Sequence, residues 1–124
     1  FEQYCESRDD IEWVYKNGDT GQQYFSIVYV DGIQKQWLFY ADYIVMKKDG
    51  TVWVIETKGG EARGQDKNID RQIENKFNAF KAYAAKHNLH WGFVRDKDNQ
   101  LYINNTEFAE DMADDHWVPL TQEF

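Results

Sequence analysis

With 124 residues, 17% of them aromatic, the chain can bury one ring-rich core and is too short for two. No apolar run reaches the length of a bilayer span or a secretory signal, and the single cysteine, Cys5, excludes an internal disulfide and fits a reducing cytoplasm. A net charge of −8 speaks against an isolated nucleic-acid binder, because such affinity comes from neutralising phosphates with Lys and Arg.

The chain opens on Phe1 without Met and is expected to be a piece of a longer protein. Tyr4 and Cys5 stand three and four residues after Phe1, the apolar spacing of a helix tail, which Asp9-Asp10 ends. Ile11 to Lys16 alternates as a strand does, and Asn17-Gly18-Asp19-Thr20-Gly21 has the composition of a loop. Tyr24 to Val30 reads as a second strand, Asp31-Gly32 turns the chain, and Trp37 to Tyr40 leads into Asp42.

Tyr43 to Met46 and Val52 to Ile55 are β-branched and aromatic runs on either side of Asp49-Gly50, which predicts a hairpin. A two-residue loop would set Asp42 opposite Thr57. A three-residue loop, Lys48-Asp49-Gly50, with Gly50 in the left-handed region, pairs Lys47 with Thr51 and Asp42 with Glu56, and this register is the expectation. Ile44, Met46, Val52 and Val54 then share one face, and Tyr43, Val45, Trp53 and Ile55 the other. Both faces need cover, so the hairpin is expected inside a mixed central β-sheet of about five strands flanked by helices, an α/β fold.

Glu56 and Lys58 are two apart and point the same way, with Thr57 opposite. The expected register therefore gathers two carboxylates and an ammonium at one end of the hairpin. Two carboxylates at that distance need a cation or a shared proton, and oxygen ligands without Cys or His suit Mg²⁺ or Mn²⁺. A lysine beside such an ion can orient a water and neutralise charge on a phosphoryl oxygen, which suits phosphodiester hydrolysis.

Gly59 to Gly64 is glycine-rich but lacks the Gly-Lys-Ser/Thr of a nucleotide phosphate loop; Arg63 and Lys67 near it are candidate DNA contacts. Asp66 to His87 is a helix, with Ile69, Ile73, Phe77, Phe80 and Ala84 forming one apolar stripe and Asn88 capping its end. Leu89 to Arg95 and Leu101 to Asn104 are strands joined by a turn over Asp96 to Gln100. The strand–helix–strand order implies a right-handed crossover if the strands are parallel. Thr106 is expected to cap a short helix through Met112, whose acidic residues form a solvated face. His87, His90 and His116 are scattered and have no zinc spacing, and Ser26 has no nucleophile context.

Asp42 followed after a hairpin by Glu56-Thr57-Lys58 resembles the PD-(D/E)xK nuclease motif, with Ala41 where a proline often stands. The runs DIEWVYKNGD, YADYIV and DGTVWVIETKG, and then a helix carrying Asn75-Lys76, resemble the C-terminal endonuclease domain of type III restriction enzymes over roughly residues 1 to 90. The resemblance implies a restriction-endonuclease-like core and a single endonuclease domain over residues 1–124. It implies Asp42, Glu56 and the Thr57 backbone carbonyl as Mg²⁺ ligands, Mn²⁺ being an alternative, with Lys58 the catalytic lysine. Glu2 and Glu6 on the first helix, and Gln72 and Lys76 on the long one, become accessory candidates. The implied partners are double-stranded DNA, an ATP-dependent translocase region of the same parent chain, and a methylation and specificity subunit, with no membrane. The alternatives are a nuclease of the same type acting on RNA or repair intermediates, and a non-catalytic binding domain.

Overall fold

The computed structural model of the chain describes residues 1–17, 27–30, 36–58, 67–110 and 112–124. Among the described residues eleven elements follow one another: α1 (Glu2–Glu6), β1 (Ile11–Lys16), β2 (Ile27–Val30), β3 (Gln36–Phe39), β4 (Tyr43–Lys47), β5 (Val52–Lys58), α2 (Lys67–His87), β6 (His90–Lys97), β7 (Gln100–Asn104), β8 (Val118–Pro119) and α3 (Leu120–Glu123). Six strands form one mixed sheet in the order β1-β4-β5-β6-β7-β8, one strand more than expected. β2 and β3 stand apart as an antiparallel ribbon. The segments Tyr24 to Ser26, Asp31-Gly32 and Gly59 to Gly64, with Arg63, lie outside the described residues.

The hairpin takes the three-residue loop. Tyr43 pairs with Ile55, Ile44 with Val54, Val45 with Trp53 and Met46 with Val52. Lys47 N donates to Thr51 O at 2.9 Å, Gly50 N donates to Lys47 O at 2.9 Å, and Gly50 has φ +88°. A side chain at position 50 would meet left-handed strain, so glycine is required there by the backbone.

β5 lies parallel to β6, with α2 as the connection between them. The stripe predicted on α2 is buried at Phe77, Phe80 and Ala84, with Ile73 packed at its border, against Val54, Trp91 and Phe93 of the sheet. Fully burying each such ring is worth roughly 1.5–3 kcal/mol, which is what holds a long polar helix on the sheet. The opposite face, Tyr43, Val45, Trp53, Ile55, Val94 and Ile103, is covered by Cys5 of α1 together with Leu120 and Phe124. Rings fill that side too: Phe1 lies 5.5 Å from Phe124, and Phe124 lies 5.2 Å from Trp53. α2 ends as the sequence indicates, with Asn88 at φ 55° and Leu89 N donating to Ala84 O at 2.9 Å. Among the described residues no helix is long and apolar enough to cross a membrane.

The turn after β6 is tighter than expected, two residues, Asp98 and Asn99, both with positive φ. The short helix expected from Thr106 to Met112 is not formed over the described part of that segment. Side chains take the carbonyls a helix would use. Asn104 Nδ2 donates to Glu107 O at 2.7 Å, Trp117 Nε1 to Ala109 O at 2.7 Å, and Arg95 to Glu110 O at 2.7 Å, while Thr106 N donates to Asn104 Oδ1 at 3.0 Å. A polar side chain that captures nearby backbone competes with the helix ladder and here prevails.

Candidate active site

One step past the last hairpin pair, Asp42 falls opposite Glu56. Its carboxylate turns across the end of β5, where Oδ2 accepts both Thr57 N at 2.8 Å and Thr57 Oγ1 at 2.7 Å. In an antiparallel ladder, the N–H and C=O of one residue point to the same side. Because Thr51 faces β4, so does Thr57, whose N–H reaches Asp42. The Thr57 carbonyl is therefore directed to the β4 side, beyond that strand's end at Tyr43.

Glu56 is 5% exposed. Its Oε2 sits 3.1 Å from Lys58 Nζ, and its Oε1 is buried with no hydrogen-bond partner among the described residues. Burial drives its pKa up to about 8; Lys58 pulls it down, and the neighbouring Asp42 pushes it further up. Two carboxylates thus share one desolvated corner, with the Lys58 ammonium in contact with Glu56.

Lys76 of α2 belongs to the same corner. Burial lowers its pKa first and the Lys58 charge lowers it further, while Glu56 and Asp42 oppose both. The sequence-predicted lysine on the long helix therefore meets all three motif residues electrostatically. The Gln72 side chain, like that of Lys67, lies outside the described residues. Glu2 is not brought to the corner: its Oε1 accepts Tyr43 Oη at 3.1 Å and faces Lys16 Nζ at 3.8 Å. Tyr43 pairs with Ile55, the residue next to Glu56, and so occupies the face of the sheet away from Glu56. Glu6 lines the same outer cleft with Glu2, Val14 and Lys16.

Two neighbours of the corner carry no motif signal. Asn17, just past β1, donates its backbone N–H to Asp42 O at 2.8 Å and its side-chain Nδ2 to Ala41 O at 3.0 Å. Arg95 pairs with Lys58 in the β5–β6 register and is buried, with its guanidinium 5.4 Å from the Trp117 ring. An Asn following a strand is the one cue that marks Asn17, and sequence reasoning spent it on a loop.

Among the described residues there is no group of three or more His, Cys, Asp and Glu side chains able to hold a metal. The donor set is instead two carboxylates and one directed carbonyl. An unpartnered, desolvated Glu56 Oε1 beside a second carboxylate is relieved by a cation, and this oxygen-only set fits a hard ion that keeps several of its waters. No protein-family model matches the sequence, and no curated protein matches it significantly.

Proposed function

We propose that this chain is a Mg²⁺-dependent endodeoxyribonuclease domain of PD-(D/E)xK type, acting on double-stranded DNA. The observation that carries the proposal is the buried Glu56 carboxylate, with Oε1 unpartnered, set by strand register beside Asp42 and in contact with Lys58. Asp42, Glu56 and the Thr57 carbonyl would hold Mg²⁺ or Mn²⁺. Once bound, such an ion supplies Lewis-acid stabilisation of a phosphoryl oxygen and acidifies a water.

The chain's own residues do the rest. Lys58, held by Glu56, presents an ammonium that orients the attacking water and neutralises charge growing on the phosphoryl oxygens. Lys76, pressed by burial and by Lys58 towards its neutral form, contributes a second amine at the same corner. Attack in line on phosphorus breaks the P–O3′ bond, leaving a 5′-phosphate and a 3′-hydroxyl that takes up a proton. Thr57 fixes Asp42 and takes no part in bond changes.

By its resemblance to type III restriction enzymes, the domain is the cleavage module of a longer cytoplasmic protein. An ATP-driven translocase region would deliver the DNA, and a methylation and specificity subunit would recognise it. That division of labour accommodates the net charge of −8, since other parts would supply the phosphate contacts. The same charge favours a second reading, a non-catalytic binding module on this fold.

Calorimetric titration of Mn²⁺ and Mg²⁺ into the chain, beside Asp42→Ala, Glu56→Ala and Lys58→Ala, tests the proposal. Specific binding lost with either carboxylate and kept without Lys58 is the expected result. No binding at millimolar metal, either alone or with a short duplex, would leave the binding-module reading. A panel of duplex DNA, RNA and branched substrates separates DNA cleavage from the related nuclease activities.

A further inference from the structure

We propose that Asn17 is a positioning residue for Asp42, tying the carboxylate-bearing bend to the end of the edge strand β1. Asp42 has left the β4–β5 ladder, whose last pair is Tyr43 with Ile55, so strand pairing with β5 no longer fixes it. Two sets of contacts take over. From one side Asn17 N donates to Asp42 O at 2.8 Å and Asn17 Nδ2 donates to Ala41 O at 3.0 Å, so a single residue grips two consecutive carbonyls. From the other side Thr57 N and Oγ1 both donate to Asp42 Oδ2. Ala41 is itself buried among Val54 and Phe77, and its carbonyl needs a partner there. An amide is the group that suits the place, because it donates to that carbonyl without bringing a charge beside the Asp42 and Glu56 carboxylates.

The consequence is directional. With the 41–42 backbone gripped, the Asp42 side chain is aimed at Thr57, and both of its bonds to Thr57 fall on Oδ2. Without the side-chain grip, Asn17 still donates its backbone N–H to Asp42 O but releases Ala41 O, and the aim is loosened although the hydrophobic core is untouched. The metal consequence rests on the nuclease reading above, but the effect on Thr57 does not.

The test uses ¹⁵N-labelled full chain with Asn17→Ala and Asn17→Asp, the latter isosteric and without the side-chain donor. The Thr57 amide reports the Asp42 aim directly, through its proton shift and its exchange protection. Asp42→Asn in otherwise wild-type protein supplies the reference for a weakened Thr57 bond. Both Asn17 variants are expected to move the Thr57 amide towards that reference, to lose its protection, and to keep the cooperative melting of the wild type. Mn²⁺ affinity is expected to fall on the order of ten- to a hundredfold, as for other residues that orient a ligand. A Thr57 amide unchanged in whichever variant folds would overturn the proposal. If wild-type protein binds no Mn²⁺, the nuclease reading fails by itself, and the Thr57 amide still decides the role of Asn17.

Discussion

Glu56→Gln is expected to stabilise the metal-free protein in alkali and not in acid. Burial raises this carboxyl from an ordinary 4.5 to about 8, against the pull of Lys58. The folded chain then holds the proton more tightly than the unfolded chain, so stability falls as pH rises from about 4.5 to about 8. At roughly 1.4 kcal/mol per pH unit, the raised pKa costs the fold about 3 kcal/mol near pH 7, where the folded chain still holds the proton, and approaches about 5 kcal/mol well above pH 8, where Glu56 is ionised. Gln keeps the shape and forfeits the contact with Lys58, which reduces the gain. Urea unfolding in chelator should therefore show the variant level with wild type near pH 5 and ahead by a few kcal/mol near pH 8.5. Millimolar Mg²⁺ should narrow the gap near pH 8.5, since an ion bound to the folded wild type alone stabilises it by mass action. A gap independent of pH, or wild type ahead in alkali, would refute the desolvated carboxylate.

On the proposed nuclease reading, Lys58→Ala is expected to retain Mn²⁺ binding and to slow cleavage by roughly 10²–10⁴-fold, read by single-turnover assays on duplex DNA. Gly92→Ala would drive a Cβ into Ile103 Cδ1, part of a fully buried side chain, and should cost about 1–3 kcal/mol in urea unfolding. A neutral result would mean that Ile103 swings aside. Arg95→Ala removes a charged donor from Glu110 O and the cation over Trp117, and a loss of about 2–3 kcal/mol with a shift in Trp117 emission is expected. Cys5, buried and with its thiol pushed up to about 11 by desolvation, should react with a disulfide reagent near pH 8 only as fast as the fold opens, and equal rates in folded and unfolded protein would contradict its burial.

Much of this arrangement was legible because it rests on local periodicity. The α2 stripe and the hairpin are repeats of 3.6 and 2 residues, and the Asp49-Gly50 signal decides the loop length that sets Asp42 opposite Glu56. What escaped depends on partners distant in sequence. Asn17 reaches a carbonyl 24 residues away and Arg95 one 15 residues away, and neither local context announces it. The segment after Thr106 has helical composition, yet side chains from Asn104, Arg95 and Trp117 reach its carbonyls first. Glu2 was legible as helical but not as to side: a five-residue helix says nothing about which face of the sheet it covers, and it covers the one away from Glu56. The isolation of Glu56 Oε1 is likewise a property of packing from several elements.

Surface turns ordinarily absorb insertions and deletions, and the turn at Lys48-Asp49-Gly50 is exposed and polar like any other. Its length is nonetheless coupled to chemistry at the other end of the ribbon. Closing the same sequence on a two-residue loop, Asp49-Gly50, would still leave a well-formed hairpin, yet with Lys48 opposite Thr51 every side chain of one arm would change sides relative to the other. Asp42 would be parted from Glu56 without a single atom near either having been substituted. Gly50, which at φ +88° selects the three-residue closure, therefore acts as a parity check on the acidic corner.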